Sequence, residues 1–441
     1  MSRKYKILSC LALILIFSLL RIHTFTLSHT NNDELIYVSL AKKIQSYGLT
    51  TFQGHYNLFY IDIEEEKYNG FLSISLSKEE KASLIRDFQG AEASKFSHHP
   101  PLLSILLAIS HNLFKSDIPY ALAKRTVNAL EAKNQFYACI IPFTSSLLLA
   151  LFTFVLGSML FSFRLGILAS LLIIFNPTDL LTAHKIWADD LVSLFGLLSI
   201  ISYELSIRKY KLIYSLLAGV LSGLSIMSKM SGVIFILVVI VLHFIEARPK
   251  EKKYKIIFDK RLIVFLISVI LTSMPWLYLF LKNQGGLKVL YWGFEPITNK
   301  VKSLPVGFLS LVYNRPWYIY FVSLIYQMPI FIFGYLGVLR AIIKKIDSEK
   351  IRELTFLSMW FLLVIFILTL RQDREERYLL IAMPALSILS AKFFLQFINR
   401  GRLIRILLLF FLALCFFWAA TLGLDAVFTK SDLIPIIFLE Y

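Results

Sequence analysis

The chain is poor in the features that organise many soluble or secreted enzymes. Only 3 of its 441 residues are cysteine, and Cys10, Cys139 and Cys415 all fall inside apolar stretches, where they form neither a disulfide framework nor a ligand set. No P-loop, GxGxxG or GxSxG lies near a suitable strand, so nucleotide binding and serine hydrolysis have no support. The pair His98-His99 lacks the ligand spacing of a zinc site. Internal repeats, heptads and low-complexity tracts are also missing, which argues for one domain without a solenoid or coiled coil. Acidic residues are scarce, 29 Asp and Glu against 46 Lys and Arg, for a net charge of +17. The basic residues are scattered through short loops rather than gathered into a patch, so nucleic acid is not expected as a partner.

What is abundant is apolar length. Hydrophobic residues make up 57% of the chain and aromatics 15%, with a mean hydropathy of +0.69, too greasy for a soluble globule. Runs at 7–27, 137–161, 164–178, 186–207, 212–228, 231–246, 262–281, 317–340, 353–370, 377–397 and 403–424 give about eleven candidate spans of a hydrocarbon core roughly 30 Å thick. The expected fold class is therefore an all-α polytopic membrane protein. One integral membrane domain covers 1–424, and a short outward tail follows over 425–441. Residues 1–27 resemble a signal peptide but no small-x-small cleavage site follows, so they read as an uncleaved first helix.

Loop charge sets the orientation. Arg3, Lys4 and Lys6, then Arg208-Lys209-Lys211, Arg248 to Arg261, Arg340 to Arg352 and Arg400-Arg402-Arg405 fall on one side if the spans are right. The positive-inside bias makes that side cytoplasmic, in the plasma membrane, and puts residues 28–136 outside. Within this outer loop, Asn31-Asn32 can cap a helix whose first turn carries Asp33 and Glu34 and which Gly48 can end. Ile36, Leu40 and Ile44 recur at helical spacing, predicting an amphipathic helix over 32–47 on the outer leaflet. Residues 72–76 alternate like a short strand in an otherwise polar loop. His99-Pro100-Pro101-Leu102 opens a short apolar run to Phe114, a second juxtamembrane helix rather than a span. The outward loop 282–316, with Tyr291-Trp292-Gly293, reads as resting at the headgroup level.

The ionisable residues that remain converge on the same outer side. Asp189 and Asp190 open a span, where carboxylates are costly and tend to face a cavity or a partner, although a helix N-terminus alone also attracts them. Lys229 sits in a tight turn between spans, placed to snorkel to headgroups or to bind phosphate. Arg371-Gln372-Asp373-Arg374-Glu375-Glu376-Arg377 is a mixed-charge loop that can pair internally. Arg377-Tyr378, at the head of a span, offers a planar guanidinium suited to phosphate oxygens. Carboxylates beside cations at a membrane surface suit displacement of a lipid phosphate from a sugar carbon. One carboxylate takes the acceptor proton and the cations stabilise the departing phosphate.

The order of these pieces resembles the polyprenyl-phosphate-sugar-dependent membrane glycosyltransferases of the GT-C fold, the group of protein O-mannosyltransferases and lipid A aminoarabinose transferases. The resemblance rests on Asp33-Glu34-Leu35-Ile36-Tyr37-Val38-Ser39-Leu40-Ala41, His99-Pro100-Pro101-Leu102, Asp189-Asp190-Leu191 after Asn176-Pro177, and Glu376-Arg377-Tyr378-Leu379-Leu380 leading into Met383-Pro384-Ala385-Leu386. It implies a polyprenyl-phosphate sugar as donor and co-substrate, inversion at the anomeric carbon, and a protein, lipid or envelope glycan as acceptor. Asp33 would be the general base and Asp189 would orient the acceptor or help hold a cation. Glu34 and Tyr37 would shape the site, while His99, Lys229, Arg374, Arg377 and Tyr378 would contact the substrate, with Asp190 the alternative to Asp189. Mg²⁺ or Mn²⁺ on Asp33 and Asp189 is compatible with oxygen ligation. The chain departs from many relatives in having His99 where they carry a basic residue, and from aminoarabinose transferases in having Ile36 where they carry arginine. Both departures leave the donor sugar open. A Trp-Trp-Asp signature and a large C-terminal soluble domain are absent, against N-linked transfer. A transporter or lipid-linked sugar flippase is the alternative, although repeated halves with broken helices meeting at the midplane are not evident, and a catalytically silent scaffold is a third reading.

Overall fold

The computed structural model describes residues 3–22, 32–48, 100–116, 132–247, 259–283, 316, 318–343, 351–370 and 374–429. Among these, regular structure is helical throughout: α1 (Arg3–Arg21), α2 (Asn32–Tyr47), α3 (Leu102–Leu113), α4 (Ala132–Leu160), α5 (Phe163–Ile174), α6 (Pro177–His184), α7 (Asp189–Lys209), α8 (Leu212–Ser228), α9 (Val233–Ala247), α10 (Lys260–Asn283), α11 (Ile319–Gln327), α12 (Ile332–Ile343), α13 (Ile351–Thr369), α14 (Met383–Ile398) and α15 (Arg402–Thr429). A lipid-embedded backbone must satisfy its own polar groups, which is why helices fill a chain this apolar. The expected strand-like 72–76 and residues 284–315 of the expected loop 282–316 lie outside the described residues, while Lys282 and Asn283 close α10.

The helices fall where the apolar runs are, with two corrections. Among the described residues five are long and apolar enough to cross a membrane, and a bent pair would make a sixth. Most of the remaining spans in the expected set of about eleven correspond to shorter apolar helices. The run 164–178 is not one helix: it breaks at Phe175-Asn176, and α5 and α6 diverge by 58°. Asn176 accounts for the break, because its Oδ1 accepts the Asp179 N–H at 3.1 Å while Pro177 takes the first helical position, a strong N-terminus inside an apolar run. The run 317–340 is likewise interrupted, at Met328-Pro329, between α11 and α12.

Helices α7, α8 and α10 pack side by side, as do α4 with α5, α12 with α14, and α15 with α6. The main core gathers Phe17, Leu172, Leu197, Phe235, Trp360 and Phe394 among many others. Between helices in lipid such contacts hold mainly by close packing, since lipid tails are as apolar as leucine. A smaller core joins α2 and α3 to the α6–α7 corner through Tyr37, Val38, Ala41, Leu103, Leu107, Ile186 and Leu191. The buried face of α2 thus takes in Leu40 but centres on Tyr37, Val38 and Ala41, because α2 packs on α3, where Ser104 Oγ donates to the Tyr37 carbonyl at 2.9 Å. Gly48 ends α2 at φ +60°, the left-handed conformation expected of a C-terminal glycine.

Candidate active site

One end of the bundle collects the ends of α1, α8 and α13 and the starts of α7, α9 and α14. Two irregular segments form its floor. The first is the corner between α6 and α7. Here the backbone N–H of Ile186 donates to Glu34 Oε1 at 2.8 Å, which ties the first turn of α2 to the corner. Glu34 is buried, and Asp33 lies beside it in the same turn. The second segment is a 3-10 turn, Glu376–Ile381, that feeds α14 and buries Tyr378, Leu379, Leu380 and Ile381. Trp360 Nε1 anchors this turn by donating to the Ile381 carbonyl at 3.1 Å.

Asp189, the first residue of α7, receives the Lys229 ammonium on Oδ1 at 2.7 Å; its side chain is 5% exposed and that of Lys229 16%. Its Oδ2 has no hydrogen-bond partner among the described residues. Lys229 occupies the turn between α8 and α9, and the same ammonium lies 4.6 Å from the centroid of the Tyr378 ring. That turn depends on Gly232, because a Cβ there would meet the Ser225 carbonyl carbon at 2.4 Å. Burial pulls the Lys229 ammonium below its ordinary range, as does the nearby Arg377 charge, against the opposing pull of Asp189. Arg377 stacks at 4.3 Å over the Trp187 ring and 5.6 Å from Tyr378, and pairs with Glu375. Two cations, each with a carboxylate partner, and two aromatic rings therefore meet in one place. Such a group can hold an anion against the cations and a flat or polar body against the rings.

The structure distributes the expected site residues unevenly. Asp189, Lys229, Arg377 and Tyr378 come together. Asp190 turns away, fully buried, and accepts from Thr182 Oγ1 at 3.2 Å. Tyr37 is buried in the smaller core. Arg374 is half-buried and donates to the Thr369 carbonyl at 3.3 Å. His99 and Arg371 to Asp373 lie outside the described residues, and for Asp33 the description stops at the backbone. Sequence reasoning passed over Trp187 and Asp179. Trp187 sits two positions before Asp189 at the head of a span, where tryptophan commonly lies, and Asp179 follows the Asn176-Pro177 cap. Among the described residues no group of three or more His, Cys, Asp and Glu could hold a metal ion.

The architecture places the chain among known membrane proteins. ArnT from Cupriavidus metallidurans bound to undecaprenyl phosphate superposes with a TM-score of 0.59 at 11% identity, over 98% of this chain and 66% of that one. The Archaeoglobus fulgidus oligosaccharyltransferase AglB, in complex with an inhibitory peptide and a dolichol-phosphate, gives 0.60 at 14% identity, over 96% of this chain and 55% of that one. The A. fulgidus oligosaccharyltransferase tethered to an acceptor peptide containing the NVT sequon gives 0.61 at 14%, over 97% and 55%. The chain thus spans less than two thirds of the length of these solved structures, and the likeness establishes a GT-C-like fold. In sequence, the dolichyl-phosphate-mannose-protein mannosyltransferase family matches over residues 88–291, a stretch that contains Asp189 and Lys229. No curated protein matches the chain.

Proposed function

We propose that this chain is a membrane glycosyltransferase that moves a sugar from a polyprenyl-phosphate carrier to a protein, lipid or envelope-glycan acceptor on the extracytoplasmic face. The observation that carries this reading is the meeting of Lys229, Arg377 and Asp189 over Tyr378 and Trp187 at one end of a GT-C-like bundle. The mannosyltransferase match and the lipid phosphates in the solved relatives support it.

In the proposed reaction the Asp33 carboxylate takes the acceptor proton as the acceptor attacks the anomeric carbon. The bond from that carbon to the phosphate oxygen breaks, its electron pair leaves with the polyprenyl phosphate, and the configuration inverts. Lys229 and Arg377 meet the charge that grows on the leaving phosphate, where fixed cations in a dry site act most strongly. Asp189 holds Lys229 in place and orients the acceptor. The side of attack follows from loop charge. Arg208, Arg261 and Arg352 cluster at the far end, where Arg208 and Arg352 both bind Glu204, so the site end faces outward under the positive-inside bias.

Purified protein is assayed against a panel of polyprenyl-phosphate sugars, with mass detection of released polyprenyl phosphate. Asp33→Asn is expected to lower turnover by at least about 10²-fold, as loss of a general base does, with expression intact. Full activity in that variant removes Asp33 from the mechanism. Movement of the lipid-linked sugar across vesicles with no polyprenyl phosphate released favours the transporter reading instead.

A further inference from the structure

The outward end of α1 carries a charge that the proposed reaction does not use. Arg21 interrupts the first apolar run, yet its side chain is fully buried rather than snorkelling to the surface. Its guanidinium pairs with the equally buried Asp179 in the first turn of α6 and lies 4.2 Å from the centroid of the Phe17 ring. Ser146 of α4 donates to the same Asp179 oxygen at 2.8 Å. Asp190 borders this pocket: the Thr182 hydroxyl of α6 lies 3.2 Å from its Oδ1 and 3.3 Å from the Asp179 carbonyl, within reach of either as a donor. One buried polar cluster therefore ties α1, α4 and α6 to the first turn of α7.

A buried ion pair is weak evidence of stability, because removing two charges from water costs about as much as their attraction returns; position is what such a pair can fix. Here the fixed object is the α6–α7 corner. One side of that corner is the Ile186 N–H that holds Glu34. The other is the turn from which Asp189 meets Lys229. We propose that Arg21, acting through Asp179, is a positioning residue that aims Asp189 at Lys229. It touches no substrate, and its effect on turnover rests on the transfer reading above.

The test reads position and activity separately in nanodisc-embedded protein. Acetylation of Lys229 by acetic anhydride, followed by peptide mass spectrometry, reports whether Asp189 still masks the amine. Asp189→Asn marks the unmasked rate. The double variant Arg21→Met/Asp179→Asn removes both members of the ion pair together, leaving Asp190 with its Thr182 hydrogen bond, and is expected to label Lys229 about fivefold faster than wild type, the scale of a coupling between neighbouring sites. In the transfer assay the same variant is expected to lose about tenfold in kcat with KM for the lipid donor little changed, the signature of an interaction realised in the transition state. Wild-type labelling in this variant, beside fast labelling in Asp189→Asn, overturns the proposal. Should the double variant show no cooperative melting, Ser146→Ala decides: faster Lys229 labelling supports the role and an unchanged rate overturns it. A wild-type protein that turns over no donor, with the labelling contrast intact, defeats the transfer reading and leaves the positioning role standing.

Discussion

Lys229 has two bland neighbours in sequence and a crowded setting in space. A lysine in a tight turn between spans normally reaches for headgroups, but here it is drawn in against Asp189 and the Tyr378 ring. Burial disfavours its charged form, so its folded value lies below that of a free lysine, and as pH rises the ammonium is lost earlier than usual. With Lys229 on the donor phosphate, donor KM should begin to rise below the ordinary lysine value of about 10.4. Lys229→Met should raise donor KM about tenfold or more, the scale of one lost charge-assisted contact, and flatten the alkaline rise. A steep alkaline limb that survives in Lys229→Met would assign the titration elsewhere. That Asp189, Lys229 and Arg377 share one end of the bundle was readable without coordinates, because it needs only the alternation of the spans between them. Their grouping was not. Asp189 and Asp190 are adjacent in sequence yet point into different environments, one toward Lys229 and one into the Arg21 pocket, and only the helix's rotation separates them.

At the scale of elements, the site is assembled by the places where helices stop. The bounds of the α2 helix were legible, since it starts at Asn32 and Gly48 follows its end at φ +60°. The α5–α6 break was harder, since the apolar run continues through it and hydropathy cannot see a side-chain cap. Asn176 and Pro177 are the sequence signal, and they act locally: one accepts the Asp179 N–H and the other presets the first turn. Asn176→Ala should therefore destabilise the start of α6 by about 1 kcal/mol, the usual cost of a lost N-cap. That loss should appear as faster hydrogen exchange in α6, and at the start of α14 where Asn176 also touches Met383, with α10 unaffected. The buried face of α2 includes the expected Leu40 and Ile44 but is wider than the stripe they define. An apolar stripe predicts contact with lipid or core, but α3 and the corner supply a second packing surface that favours Tyr37 and Ala41.

Across the whole molecule, charge is sorted between two ends. At one end Glu204 binds Arg208 and Arg352, Asp259 pairs with Arg261, and Arg208 Nη1 donates to the Met159 carbonyl at the close of α4. At the other end lie the corner, the Lys229 turn and the 3-10 turn. Because α4 and α7 both carry chain to the basic end, a single observation of sidedness orients the whole bundle. Membrane-impermeant thiol labelling supplies it. Tyr210, 79% exposed beside the basic end, and Lys115, exposed just beyond α3, can each be replaced by cysteine in a chain whose own cysteines are removed. In vesicles of known orientation, Tyr210→Cys should label from the cytoplasmic side and Lys115→Cys from the opposite one. The reverse pattern would put the Lys229 site in the cytoplasm. It would also show that the basic residues here serve ion pairing within the bundle rather than topology, since Glu204 and Asp259 already neutralise part of their charge.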